Sequence, residues 1–240
     1  MELKRLLSLT RQAIDKYEMI SDGDVIAVGV SGGKDSLTVL YALSELKRFY
    51  PKKFEVCAIT VDTAASEGDD YSKITDFCKE LSVEHIIVET EIRQIVFKER
   101  KEQNPCALCA KMRKGALNDE LIKRGINKVA YGHHKDDFVN TMMLSLMYEG
   151  RLQTLDPCFT LDGTVISVIR PLMYVTEVDV IGFKNKYNLP VVKSSCPADG
   201  FTKRKYVEDL MRQINRDNPG VLMKMFNAAE NQVIKEIMKG

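Results

Sequence analysis

The chain predicts an α/β fold: a doubly wound, mainly parallel sheet followed by a helical C-terminal segment. Three observations lead there. Short apolar runs at 25–30, 54–61, 85–88, 128–131 and 165–169 alternate with longer stretches of helical periodicity. The longer runs are continuously apolar rather than alternating, as strands covered on both faces require. Two of the runs also lead into glycine and polar residues just before a helical pattern, which is the join a strand-to-helix turn needs.

The elements follow in order. Residues 3–17 space their leucines and Ile14 at helical intervals, and 25–30 is the first buried strand. Residues 37–49 form a helix that Pro51 ends, because the position before a proline disfavours helical geometry. The second strand, 54–61, runs into Asp62. A helix at 71–81 precedes a short strand at 85–88. Helix 112–124, strand 128–131 and helix 138–148 come next. Strand 165–169 is followed by Pro171, helix 178–187 and a short extended piece at 190–192. Two closing helices are split by Asn218-Pro219-Gly220. The polar stretch 100–104 reads as a mobile connection, and 150–162 as irregular. Both are expected near the carboxyl ends of strands, where open α/β sheets place their sites. Residues 1–200 read as one domain and 201–240 as a helical extension of it rather than an independent unit.

Composition narrows the function class. The 240 residues carry a net charge of +1, which by itself argues neither for nor against nucleic acid. No apolar stretch is long enough to span a bilayer, and the first residues lack the apolar core of a signal peptide. The expected setting is the cytoplasm, without a membrane. Cations do outnumber acids locally, between Lys184 and Arg216 and between Glu91 and Lys128. Such faces bind phosphates even on a neutral chain. A solvated helix face is the plainer explanation of charge alone. The cluster Lys203, Arg204, Lys205, Arg212 and Arg216, with Lys111 and Lys114, is the expected RNA-binding surface.

Ser31-Gly32-Gly33-Lys34-Asp35-Ser36 carries the most information. It follows the first strand and opens a helix. The glycines let the backbone turn tightly and approach a ligand. The first helical amides lack intrahelical partners and point into the turn. Two hydroxyls and the Lys34 ammonium complete an anion site suited to phosphate. The spacing is neither that of a Walker A loop nor of a dinucleotide fingerprint. A second strand-to-helix join, Gly132-His133-His134-Lys135-Asp136-Asp137, sets two adjacent carboxylates at a helix start. Paired carboxylates beside phosphates suit Mg2+, although one aspartate there is an ordinary cap.

The six cysteines are Cys57, Cys78, Cys106, Cys109, Cys158 and Cys196. Cys57 and Cys78 fall on apolar faces and read as packing residues. Cys106-Ala107-Leu108-Cys109 is a CxxC pair, with Cys196 the best third thiol. The pattern alone leaves open a redox pair, a Cys3His zinc site completed by His133 or His134, or a thiol carrying a persulfide.

Together, SGGKDS at 31–36, CALC at 106–109 followed by Arg113 and Lys114, GHHKDD at 132–137, Tyr148-Glu149-Gly150-Arg151, Ile169-Arg170-Pro171-Leu172 and the lone Cys196 resemble the two-thiocytidine tRNA synthetases, the TtcA-type thiolases among the PP-loop adenylating ATPases. The resemblance covers most of the chain. It implies an ATP-dependent tRNA sulfurtransferase that adenylates a base carbonyl and replaces its oxygen by sulfur, giving 2-thiocytidine in the anticodon loop and releasing AMP and pyrophosphate. It implies a [4Fe-4S] cluster on Cys106, Cys109 and Cys196 with one iron open to sulfur. It places ATP on Val30, Ser31, Gly32, Gly33, Lys34, Asp35, Ser36, Val61, Gly132, Asp136 and Asp137, with Mg2+. Asp35, Arg113 and Asp136 take the catalytic roles. The partners implied are tRNA and a sulfur donor, either a persulfide from a cysteine desulfurase or free sulfide. A homodimer is compatible with it. The alternatives are a PP-loop sulfur transferase acting on another tRNA base or on a small cofactor, and a nucleotide- or RNA-binding module without turnover.

Overall fold

The computed structural model describes residues 1–65, 70–99, 105–192 and 203–237. Its centre is a six-stranded sheet in the order β3-β2-β1-β4-β6-β5. The strands are β1 (Asp24–Gly29), β2 (Phe54–Asp62), β3 (Glu84–Glu89), β4 (Lys128–Ala130), β5 (Cys158–Thr160) and β6 (Ser167–Ile169). All neighbours pair in parallel except β5, which runs antiparallel to β6. The expected mainly parallel sheet is therefore present, with one strand the sequence pattern did not reveal. β5 has only three residues, half-buried or exposed, so it carries no apolar run to read. The extended piece at 190–192 joins no strand. Instead the Val192 amide donates to the Gly32 carbonyl at 3.0 Å.

The helices are α1 (Leu3–Lys16), α2 (Lys34–Leu46), α3 (Ser72–Glu80), α4 (Pro105–Lys123), α5 (Lys135–Glu149), α6 (Glu177–Lys186), α7 (Lys203–Asp217) and α8 (Val221–Ile237). A π-helical turn at Gln94–Glu99 was not expected. The stretch 100–104 and Cys196 lie outside the described residues. α2, α4 and α5 each begin earlier than periodicity suggests, since their first turns hold the polar and cysteine residues of the site rather than core residues.

Alternation along the strands sends side chains to two cores. Ile26 and Val28 of β1 face the core of α1, α2, α5 and α6, with Leu6, Leu37, Leu40, Phe138 and Phe183. Ala27, Cys57, Ile59 and Val129 face the other, under Leu117 and Leu121 of α4. Both faces are covered, which is why the strands read as unbroken apolar runs. Burial pushes the Cys57 and Cys78 thiols up to about 11, so both stay protonated and act as packing groups.

α7 and α8 close over α5. Phe226 of α8 is buried edge-on against Phe138 and Tyr174, with ring centroids 5.9 Å apart in each pair. The Glu230 carboxylate accepts from Lys16 Nζ and Tyr17 Oη, both at 2.9 Å, and from Tyr174 Oη. Burial works against the charged Glu230, yet these donors hold its carboxyl below the ordinary range. Because the folded pKa is lowered, this stabilisation is complete above the ordinary carboxylate range and is lost as pH falls through the lowered value. Glu230→Ala strands two tyrosine hydroxyls, at a cost of about 1–3 kcal/mol. A lower urea midpoint at neutral pH, with the difference from the parent narrowing in acid, is the expected outcome; an unchanged midpoint would show that the cluster does not hold α8.

Candidate nucleotide and sulfur-transfer site

Strand order reverses between β1 and β4: β1 leads outward to β2 and β3, while β4 leads the other way to β6. Open sheets form a crevice at such a switch point, beyond the carboxyl ends of the two strands. Here the loop after β1 is the SGGKDS turn and the loop after β4 is Gly132-His133-His134. The two loops touch. A Cβ built on Gly132 would sit 2.5 Å from the backbone C and O of Asp35 and 2.9 Å from Ser36 N, so only glycine permits that approach.

The turn is built as the sequence suggests. Gly32 has φ +79°, a region that side chains disfavour. Ser36 Oγ donates to the Gly33 carbonyl at 3.0 Å and accepts from Ser31 N at 3.2 Å. Gly33 is the N-cap of α2 and supplies no side chain to cap it. By contrast, the Thr176 hydroxyl caps α6, accepting from Asp179 N at 3.1 Å, and the Asp137 carboxylate accepts from His134 N at 2.9 Å at the start of α5. The first amides of α2 are thus left for a ligand, in the geometry that binds anions.

A cavity of about 570 Å³ opens on this point. The turn contributes Val30, Ser31, Asp35 and Ser36; β2 contributes Ile59 and Val61; α4 contributes Ala110, Arg113, Lys114 and Leu117. Tyr131, Gly132, His133 and Asp137 line it from the β4 side, and Arg204 from α7. One wall is apolar and the other carries cations and hydroxyls, which suits a ligand with an aromatic part and an anionic part.

Charges around the cavity are tightly paired. Lys34 Nζ is 3.0 Å from Asp35 Oδ2 and 3.6 Å from Glu177 Oε1. Burial opposes the Lys34 ammonium, but the Asp35, Glu177 and Asp137 carboxylates outweigh it and raise its pKa. Both Glu177 oxygens accept from Arg212 Nη2, at 3.0 and 3.2 Å. Arg204 Nη2 donates to Asp137 Oδ1 at 2.6 Å. Asp137 is opposed by burial but stays well ionised beside His134, the His134 amide and Arg204. His134 is buried among three carboxylates: Asp35 Oδ1 lies 3.6 Å from Nε2, and Asp137 Oδ2 and Asp136 Oδ2 lie 3.4 and 3.6 Å from Nδ1. Asp35 Oδ1 and His134 Nδ1 are buried polar atoms without hydrogen bonds. Among the described residues two further such atoms, Thr10 Oγ1 and Asn118 Oδ1, lie off the cavity lining, so it is the pairing of Asp35 and His134 at one junction of loops that marks the site.

The expected site residues separate into groups. Val30, Ser31, Asp35, Ser36, Val61, Gly132, Asp137, Arg113 and Lys114 come together on the cavity. Gly32, Gly33 and Lys34 shape the turn beside it. Asp136 turns away: its Oδ2 accepts from Glu177 N at 2.7 Å, at the start of α6. Asp137, not Asp136, is the carboxylate of the pair that lines the cavity. Arg204 and Arg212, expected on an RNA face, reach inward to Asp137 and Glu177. Lys203 lies over the Tyr148 ring at 4.5 Å, and Lys205 pairs with Asp209 at 2.8 Å. Lys111 and Arg216 are exposed. Sequence reasoning gave no role to Glu177, Tyr131 or Arg170. Only the adjacency of Arg170 to a proline in a short motif hinted at the last.

The CxxC thiols occupy the first turn of α4, with Cys106 exposed and Cys109 half-buried. Three residues apart, they share one helix face, one turn before Ala110 and Arg113 reach the cavity. Two soft thiolates at this spacing suit an iron–sulfur cluster. Among the described residues no group of three or more His, Cys, Asp or Glu side chains is arranged to hold a metal ion, and the third thiol, Cys196, is outside them. The described chain leaves the site at Val192, bonded to Gly32, and resumes at α7 beside the Arg204–Asp137 pair. As a soft donor pair on one helix face, the Cys106 and Cys109 thiols fit an iron–sulfur cluster.

A switch-point crevice with an uncapped glycine turn defines a phosphate-binding α/β protein, and the comparisons place it more closely. The sequence profile of the PP-loop domain matches residues 5–213, and the chain belongs to the PP-loop family. A tRNA-cytidine(32) 2-sulfurtransferase from Citrifermentans bemidjiense is 35% identical over 230 residues, covering 95% of this chain and 90% of that protein. One from Geobacter sulfurreducens is 35% identical over 231 residues with the same coverage. Among solved structures, the U34-tRNA thiolase NcsA from Methanococcus maripaludis, described with its [4Fe-4S] cluster, superposes with a TM-score of 0.78 at 24% identity, over 96% of this chain and 78% of that one. That likeness shows the fold. Among the described residues no helix is long and apolar enough to cross a membrane.

Proposed function

We propose that the chain is an ATP-dependent tRNA sulfurtransferase that converts cytidine 32 of tRNA to 2-thiocytidine. One observation carries the reading: an uncapped phosphate turn and an arginine meet on one cavity, and the helix that brings the arginine carries the CxxC pair one turn earlier. The 35% identical relatives, named as sulfurtransferases for that cytidine, support the choice of base. The adenine of ATP lies against Val30, Ile59 and Val61. The first amides of α2 and the hydroxyls of Ser31 and Ser36 hold the pyrophosphate. Lys34 and Arg113 balance its charge, and Asp137 is placed to meet the accompanying Mg2+.

The cytidine carbonyl oxygen attacks the α-phosphorus, and pyrophosphate leaves. Donors already aimed at the phosphates stabilise the charge that develops there, which is the main catalytic contribution. Hydrosulfide then attacks C2 and forms the C2–sulfur bond as AMP departs with the original oxygen. Where a persulfide is the donor, its terminal sulfur attacks C2, AMP departs, and a second thiol cleaves the S–S bond and leaves as the disulfide. Cys106, Cys109 and Cys196 would hold a [4Fe-4S] cluster, which would supply an iron able to carry that sulfur. Arg113, one turn beyond Cys109, faces the cavity from the same helix.

The direct test is anaerobic incubation with ATP, Mg2+, sulfide and tRNA, followed by nucleoside mass analysis. AMP and 2-thiocytidine formed together support the reading. Thiolation of another base redirects the specificity, and nucleotide binding without RNA-dependent AMP makes the chain a binding module. Asp35→Ala removes the partner of Lys34 and one wall of the phosphate turn. AMP formation is expected to fall about 100-fold or more, and undiminished turnover would reject the turn as the ATP site.

tRNA docks on the cations left facing solvent, Lys111, Lys203 and Arg216. Its affinity should fall with salt by about 0.7–0.9 log units per decade for each phosphate contact. Lys111→Ala should reduce that slope by about one contact's worth. A flat salt dependence would reject an electrostatic dock.

A further inference from the structure

Arg170 follows β6 and is 7% exposed. Its guanidinium is held three ways. One terminal nitrogen donates to the Asp156 carbonyl. The group lies over the Phe159 ring, 5.3 Å from the centroid. Its Nε donates to His133 Nδ1 at 3.2 Å. The third contact fixes more than position. Arginine has donors only, so His133 Nδ1 must be the bare, accepting nitrogen, and the ring proton must sit on Nε2. Flipping the ring would set a carbon against a buried N–H and orphan it, which is costly. A protonated imidazole would place a second cation and a second donor against the guanidinium. Burial, with the Arg170 charge adding to it, accordingly pulls the His133 pKa down to about 4. The neighbouring charges on His133 are Arg170 after β6, Asp137 and His134 at the start of α5, and Arg204 of α7. The Tyr131 ring meets it edge-on at 5.9 Å.

His133 therefore reaches the cavity as a neutral donor of one defined tautomer. Among the described residues no protein group accepts from Nε2. The residue before it, Gly132, is in backbone contact with Asp35 and Ser36, so His133 stands beside the amides that hold phosphate. We propose that Arg170 is a positioning residue that fixes His133 as the Nε2–H imidazole, and that this N–H donates to a phosphoryl oxygen of the bound nucleotide. A neutral donor strengthens the phosphate site without competing with Arg204 for Asp137. The inference rests on the nucleotide reading above.

The test reads the imidazole nitrogens directly, by long-range proton–nitrogen NMR at pH 7 on the whole protein, with His133 assigned from its absence in His133→Gln. Wild type should show a protonated Nε2 and a bare Nδ1. The Nε2 signal should move on adding α,β-methylene-ATP and not on adding adenosine. Arg170→Met should give mixed tautomers. In AMP formation, His133→Gln, whose amide nitrogen falls near Nε2, should stay within about tenfold of wild type, whereas His133→Asn, whose amide falls near Nδ1, should lose about 100-fold. A protonated Nδ1 in wild type overturns the proposal. So does an Nε2 signal that stays still while calorimetry shows α,β-methylene-ATP bound. Absence of any nucleotide binding overturns the reading beneath it, and leaves the tautomer to be judged from the ligand-free spectrum alone.

Discussion

Replacing any one of Cys106, Cys109 or Cys196 by serine is expected to abolish bound iron and tRNA thiolation together. Cysteines at the first turn of α4 are exposed or half-buried and contribute little to the core, so the fold should survive the change. A cluster held by three thiolates has no spare ligand, and a serine hydroxyl is a poor donor to iron at neutral pH. Wild type prepared without oxygen should be brown, with iron and sulfide each about four per chain, and air or a chelator should bleach it with loss of thiolation. Cys57→Ala and Cys78→Ala are the controls: both thiols are buried and neither lines the cavity, so colour and activity should persist at a packing cost of about 1–2 kcal/mol. An active anaerobic preparation containing zinc and no iron would remove the cluster from the account, leaving adenylation intact.

The second large effect is expected from a single methyl group. Gly132→Ala puts a Cβ 2.5 Å from the Asp35 backbone. That neighbour is peptide, not a flexible side-chain end, so one of the two loops must move. Overpacking of this kind costs about 1–3 kcal/mol, which a domain of this size tolerates. The functional penalty is larger, because the atoms displaced carry the first amides of α2. A misplacement of about 1 Å is worth about 100-fold in rate. Near-native melting with AMP formation down by two orders of magnitude is the expected signature. Full activity would mean that the β4 loop and the phosphate turn do not need to touch. Gly163→Ala, in an exposed turn with no neighbour near its Cβ, is the matched control, since its φ of +70° strains the backbone without reaching the site.

Much of this was legible in the residues, for identifiable reasons. The strands β1 and β2 and their turns are long, apolar and punctuated by glycine, so both the sheet and the phosphate turn could be read. β5 was not, because three half-exposed residues leave no periodicity. Which carboxylate of Asp136 and Asp137 enters the cavity was also invisible: adjacent residues at a helix start point in different directions, and only packing against α6 decides which one turns away. The sequence puts Arg204 and Arg212 on an RNA-binding surface and does not show their ion pairs, because charge clustering says nothing about the acids a helix meets when it folds back. Arg170 escaped notice as a functional group since its partner, His133, is 37 positions earlier in the chain.

Arg204 belongs to a helix far along the chain from the phosphate turn, yet it forms part of the cavity wall. Free energy gained by a ligand that settles against this arginine is also free energy that holds α7 in place, and linkage makes the exchange symmetric. Loosening α7 and α8 should weaken such a ligand by the same factor by which the ligand slows hydrogen exchange in those helices. The C-terminal helices are in this sense a co-ligand of the site: the protein's grip on its substrate and its grip on its own last segment are two readings of one equilibrium.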